Sequence, residues 1–313
     1  LRQAANKANQ QLAPQELEDR ATWKTTYPES RLMAQAVLWE GKAYQISSRL
    51  KSGGRSGGDP TASKADMDQA RQIFESIVDR FPTDTEACGE ALFNLGGVYK
   101  SLGDGTRSVE MYDRLVADYP QSSLAPRGLY SVGNGAWGDE DYDKATRYFK
   151  QLADGYPDDG LAKRARRNIK AMGVVGKDAP ELVADHYIGG DTSLADHEGK
   201  VVMLSFWNQW CPHCRKEMPK LQKMHEKYKD QGFVLISVTK HTKSQTEEGV
   251  VSFLQEQGVS FPTAVESDGH QTTKDYAVTS VPAAVVIGTD GKIAWRNHPA
   301  RLTAERLKQF LGG

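Results

Sequence analysis

Two cysteines three positions apart, Cys211 and Cys214, stand in the run Trp210-Cys211-Pro212-His213-Cys214. On a helix that spacing sets the sulfurs one turn apart, close enough to close a small disulfide ring, so the pair can exchange electrons with another disulfide. The apolar stretch 201–207 precedes them and the helix-patterned stretch 215–229 follows. A strand, a tight turn and a helix start are therefore expected. Pro212 suits the first helical position, where its missing N–H would have had no partner. Cys211, at the helix mouth, meets unpaired backbone N–H groups and the positive end of the dipole, which favour thiolate over thiol. The thiolate is the nucleophile in disulfide exchange, and Cys214 lies where it can close the ring and release a bound substrate.

Other uses of these residue types fit less well. A zinc site needs two more ligands; there is no second Cys-x-x-Cys, and the spacing of His225 and His241 supports neither as a ligand. No metal and no cofactor is expected. A peroxidase would carry a Thr three residues before its cysteine, where this chain has Asn208. His241 reads as a solvated turn residue, Trp207 as packing and Trp210 as a rim to a substrate groove. The lone Cys88 reads as a small packing residue.

The chain has 313 residues, too many for one ordinary core, so two domains are expected. Its 40 basic and 41 acidic side chains give a formal net charge of -1, which creates no bulk field for nucleic acid or an anionic membrane. No stretch approaches the ~18 apolar residues of a membrane span. The start, Leu1-Arg2-Gln3, has neither Met nor the apolar core of a secretion signal, so it says nothing about export. Three cysteines, only two of them close in sequence, do not make a disulfide-stapled scaffold.

The first half is helical and repetitive. Leu92, Leu95, Gly96, Tyr99, Ser108, Tyr112, Leu115 and Pro120 fall at fixed offsets that recur as Leu129, Val132, Gly133, Ala136, Ala145, Phe149, Leu152 and Pro157. Upstream, Val37, Gly41 and Tyr44 match the first half of such a unit, and Ala70, Phe74, Ile77 and Pro82 the second. Between those halves the Gly- and Ser-rich run 51–60 reads as an insertion in the hairpin turn. Tyr27-Pro28, Phe81-Pro82, Tyr119-Pro120 and Tyr156-Pro157 each set an aromatic before a helix-stopping proline. Over roughly residues 20–172 these offsets resemble the tetratricopeptide family. The resemblance implies stacked helical hairpins, which serve as a surface for a protein or peptide partner or as a spacer. The basic run Lys163, Arg164, Arg166, Arg167 and Lys170 reads as the solvated face of a terminal capping helix, with an acidic partner as the alternative.

At Met172-Gly173-Val174-Val175-Gly176-Lys177 the helical period stops. Apolar runs at 201–207, 233–239, 263–265 and 283–288 then alternate with helical patterns, which indicates an α/β domain. Asp290-Gly291 between two apolar runs signals a hairpin, so the sheet should be mixed. From Gly176 onward the chain resembles the TlpA-like disulfide-reductase family of the thioredoxin fold. The matching residues are Ala179-Pro180, Gly199-Lys200-Val201-Val202, Phe206-Trp207, the cysteine run, Glu217, Pro219, Val281-Pro282 and Asp290-Gly291-Lys292-Ile293.

The resemblance implies that Cys211 attacks, Cys214 resolves, Pro282 is a cis-proline facing them and Pro219 kinks the helix. A cis bond at Pro282 would expose the backbone of Val281 to an extended substrate strand, whereas an ordinary strand start is the plain alternative. Glu217 becomes a partly buried acid able to assist proton transfer from Cys214, or else a helix-surface residue paired with Arg215 or Lys216. Thioredoxin's own acid, six residues before the first cysteine, is replaced by Ser205. Pro212 and His213 tune the redox poise. The dipeptide is that of the strongly oxidising DsbA-type proteins, while the family as a whole reduces, and the fuller match favours reductase.

The expected architecture is two-domain: an all-α tetratricopeptide-like repeat over residues 1–173, then an α/β thioredoxin fold with a mixed central sheet over 174–313. The expected activity is protein thiol-disulfide exchange through Cys211, Cys214 and Glu217, with Trp210, Val281 and Pro282 receiving substrate. Its partners would be a disulfide-bearing protein, a redox partner, and a protein or peptide at the repeats. The family implies an extracytoplasmic, cell-envelope location, with any anchor before residue 1. An adaptor whose thioredoxin-like half only docks is the non-enzymatic alternative, and a disulfide oxidase the enzymatic one.

Overall fold

The computed structural model describes residues 33–52, 60–240, 245–266 and 269–312. Tyr27-Pro28, most of the Gly-rich run and His241 lie outside them. The chain divides into two compact units, one running to Gly135 together with Arg147–Ala162, the other combining Ala136–Thr146 with Lys163–Gly313.

In the first unit α1 (Met33–Lys51) packs on α2 (Pro60–Arg80), and α3 (Thr85–Ser101) on α4 (Gly105–Asp118). Two further helices, α5 (Ala125–Gly138) and α6 (Tyr142–Gly155), contribute Tyr130 and Phe149, whose rings meet at 5.6 Å. The recurring glycine exists for close approach. A Cβ on Gly41 would come within 2.6 Å of Phe74, on Gly96 within 2.5 Å of Tyr112, and on Gly133 within 2.7 Å of Phe149. The aromatics before the prolines do more than end a helix. Tyr119 donates its hydroxyl to the carbonyl of Pro82 and Tyr156 to that of Pro120, so each turn is tied to the previous one. Asp84 and Asp104 cap α3 and α4 by accepting from Ala87 and Arg107. Cys88 is fully buried and donates its thiol to the carbonyl of Phe81 at 3.1 Å; burial pushes that thiol up, as suits a packing residue.

The second unit is built on a six-stranded mixed sheet in the order β1-β4-β3-β2-β5-β6. Its strands are β1 (His186–Ile188), β2 (Val201–Phe206), β3 (Phe233–Lys240), β4 (Thr263–Glu266), β5 (Ala283–Ile287) and β6 (Ile293–Asn297). β2 pairs parallel with β3 and antiparallel with β5, and β5 turns back on β6 as the Asp290-Gly291 signal required. Strand alternation sends Met203, Leu235, Val286 and Trp295 to one face and Leu204, Phe206, Ile236 and Val285 to the other. The first face is covered by α8 (Pro212–Tyr228), α9 (Glu247–Glu256) and α11 (Ala304–Leu311), through Met218, Phe253 and Leu307. The second packs on Tyr276, just after the short α10 (Gln271–Asp275). A strand buried on both faces reads as a continuous apolar run, which is why β2 was visible in sequence. The three half-buried residues of β1 leave no such run.

The segment Ala136–Thr146 is held within this unit by polar contacts. Trp137 donates its indole N–H to the carbonyl of Arg296 at 3.0 Å, and Arg306 forks onto the carboxylate of Glu140. On α7 (Gly160–Met172) the basic residues 163, 164, 166, 167 and 170 are all exposed, while Ala162 and Ala165 are buried.

Candidate active site

β2 ends at Phe206, and a five-residue turn carries the chain to the start of α8. Cys211 is the N-cap residue, with extended backbone, and Pro212 occupies the first helical position, as its missing N–H dictates. The N–H of Cys214 donates to the Cys211 sulfur at 3.3 Å, so that sulfur sits where helix N-termini receive negative charge. Both cysteines are free thiols and both are buried, at 5% and 2% exposure. Burial, reinforced by the hydrogen bond with Cys211, pushes the Cys214 thiol up to about 12. Cys214 therefore keeps its proton until something removes it.

The Val281–Pro282 bond is cis, and the Val281 carbonyl faces Cys211, 3.8 Å from its sulfur. Buried Arg296 donates from Nη2 to the carbonyl of Ala277 at 2.9 Å, which pins the segment leading to Val281. Trp210 is 58% exposed beside the cysteine, whereas Trp207 is buried and donates to Ser237, itself bonded to Thr263. Ser205 is buried in the strand. His213 is exposed on the first turn.

Glu217 lies on α8 at 9% exposure. Its carboxylate takes a hydrogen bond from Lys220 at 2.8 Å, not from Arg215, whose guanidinium lies over the Phe253 ring, 4.6 Å from its centroid. Glu217 thus combines the burial of one expectation with the ion pair of the other, through a different cation. Pro219 stands inside the same helix. His298 was not visible in sequence. It is half-buried after β6, its pKa lowered by burial, with Glu217 acting against that and His213 adding to it. His225 is turned away, edge-on to Phe261.

A thioredoxin-like sheet that presents two cysteines at a helix start, opposite a cis-proline, defines a thiol-disulfide oxidoreductase. Comparison with known proteins agrees. Residues 175–296 match the AhpC/TSA family, and residues 61–84 and 90–122 match the tetratricopeptide repeat. The thiol-disulfide oxidoreductase ResA of Bacillus thuringiensis subsp. konkukian is 33% identical over 137 residues, which are 44% of this chain and 76% of that protein. The thioredoxin-like protein YneN of Bacillus subtilis is 30% identical over 136 residues, covering 44% and 78%. Among solved structures, a putative thiol:disulfide interchange protein DsbE from Chlorobium tepidum is 29% identical, covers 44% of this chain and 98% of its own, and superposes with a TM-score of 0.40. The chain belongs to the ResA- and TlpA-like family of thiol-disulfide oxidoreductases, and carries tetratricopeptide repeats in its N-terminal part.

Proposed function

We propose that this oxidoreductase reduces protein disulfides through Cys211 and Cys214. The observation that carries the exchange reading is the asymmetry of the pair, while the reducing direction is supported by the family resemblance. The Cys211 sulfur accepts an N–H at the helix mouth, while the Cys214 thiol is pushed up to about 12 by burial. In the proposed cycle the Cys211 thiolate attacks one sulfur of a client disulfide. An S–S bond forms to Cys211, and the client's second sulfur leaves as a thiolate and takes a proton. Cys214 then gives up its proton, attacks Cys211 and expels the first client sulfur. The client has gained two electrons and the enzyme is a disulfide, which a thiol donor must reduce before the next turn.

Glu217, buried on the cysteine helix, takes the Cys214 proton in this scheme. Trp210, Val281 and Pro282 form the surface that receives the client, and Pro212 and His213 set the redox poise. Residues 1–173 recruit a partner and residues 174–313 exchange disulfides, in an extracytoplasmic compartment of the cell envelope. Support for recruitment is the matched repeats; support for the location is the family resemblance alone. Among the described residues no helix is long and apolar enough to cross a membrane.

Reduction of insulin disulfides by the wild type and by Cys211→Ser tests the activity. Turnover that is lost in the variant supports it, and no turnover in the wild type favours the adaptor. The Pro-His dipeptide supports a second reading, an oxidase. A measured potential near the strongly oxidising end, about −120 mV, would select it over the reductase.

A further inference from the structure

A cavity of about 550 Å³ opens beside the cysteines, outside the carboxyl ends of β2, β3 and β4, where open α/β sheets bind ligands. Its lining includes the apolar side chains of Trp210, Val278 and Val281. Glu266 and Lys240, register partners on β4 and β3, carry the charge of the lining. They are not equivalent. Glu266 is 1% exposed, and its two oxygens accept from the N–H and the hydroxyl of Thr273, so it caps α10 and is closed to a ligand. Lys240 is partly exposed and makes no ion pair among the described residues. The neutral donors of Thr273 leave Glu266 its charge but occupy its buried oxygens, so of the two charged side chains in the lining Lys240 is the one a ligand can reach.

We propose that the cavity is a specificity pocket for client polypeptides that carry an acidic side chain next to an apolar one beside the reacting half-cystine, with Lys240 reading the acid. This rests on the exchange reading given above. Trp210 immediately precedes Cys211, and the Val281 carbonyl faces the Cys211 sulfur, so a client sulfur poised for attack lies at the cavity's edge. A volume of about 550 Å³ corresponds to a width of about 8 Å, which takes two to three residues of an extended chain at roughly 3.3 Å each. The apolar neighbour packs on the exposed face of Trp210, and the acid reaches Lys240. Such a contact at a rim steers encounter and sets preference while leaving the sulfur chemistry alone.

The test uses the full chain, reduced, with short peptides whose single cysteine is activated as a 2-thiopyridyl disulfide. Attack by Cys211 on the peptide sulfur forms the mixed disulfide and releases pyridine-2-thione, which absorbs. Peptides with Glu-Phe, Gln-Phe and Lys-Phe before the cysteine are compared on wild type, Lys240→Gln and Lys240→Glu. The wild type should prefer the Glu peptide over the Lys peptide by about tenfold at low salt, and less at high salt. Lys240→Gln should flatten the order and Lys240→Glu invert it. The neutral reagent 2,2′-dithiodipyridine should react equally with all three proteins. An order that Lys240→Glu leaves unchanged overturns the proposal. So does a Lys240-dependent rate seen with glutathione disulfide but not with the peptides, since it points to a small carboxylate-bearing disulfide in place of a protein. If the wild type does not react even with dithiodipyridine, it is the exchange reading that fails.

Discussion

The backbone N–H of Cys214 points at the sulfur of Cys211, 3.3 Å away. One residue therefore supplies both the thiol that would complete the reaction and the donor that steadies the sulfur that would begin it. Its own sulfur is buried at 2% exposure and held protonated. A three-residue spacing at a helix start achieves this with no other side chain.

That asymmetry predicts selective alkylation. With burial and the hydrogen bond to Cys211 holding its thiol well above the ordinary range, Cys214 is thiolate far less often at pH 8 than an ordinary cysteine. Iodoacetamide on the reduced protein at pH 8 should label Cys211 first and leave Cys214 and the buried Cys88 largely unmodified, as peptide mass mapping would show. Equal labelling of Cys211 and Cys214 would contradict the assignment.

Glu217→Gln should change the pH dependence of exchange and slow resolution of the mixed disulfide. The Lys220 side chain is 65% exposed, so losing its ion pair with Glu217 costs only a few tenths of a kcal/mol. Lys220→Met should accordingly leave stability nearly intact. A pH–rate profile unchanged in Glu217→Gln would remove that residue from the mechanism.

Much of this site was legible in sequence because it is local. Pro212 at the first helical position, the buried strand before it and the hairpin after β5 follow from residue types within a few positions. What was illegible is long-range. Nothing near residue 217 announces His298, and nothing near 281 announces that Arg296 braces the preceding segment. Arg215 and Lys216 are nearer to Glu217 in sequence, but a spacing of three puts Lys220 on the same helix face, and Lys220 is the partner. The repeat offsets located α3 to α6, yet they could not reveal that residues 136–146 belong with the second unit, since Trp137 and Glu140 meet their partners some 160 residues away.

In the repeats, Gly96→Ala sets a Cβ against the Tyr112 ring at 2.5 Å and should destabilise by about 1–3 kcal/mol through overpacking. Gly97→Ala, one residue on, meets nothing within 4 Å and should be neutral or stabilising by up to about 1 kcal/mol. Thermal unfolding of the two variants side by side checks the pair. Equal midpoints would show that the glycine is not there for packing.

Stability should fall on mild acidification. Burial lowers the pKa of His197, His225 and His298, so between pH 7 and the folded-state values the unfolded chain binds more protons than the folded one. Folding is then penalised as pH drops through the ordinary histidine value of about 6.5. The urea midpoint at pH 5.5 should lie below that at pH 7.5, and His225→Phe, which keeps a ring against Phe261, should reduce the difference. A midpoint that rises on acidification would show the opposite linkage.

The most direct test is to trap the covalent link with Cys214→Ala. With no second thiol to expel the client, the variant should accumulate a disulfide-bonded adduct that mass spectrometry places on Cys211 and that dithiothreitol releases. An adduct on Cys88, or none under conditions where the wild type turns over, would contradict attack by Cys211.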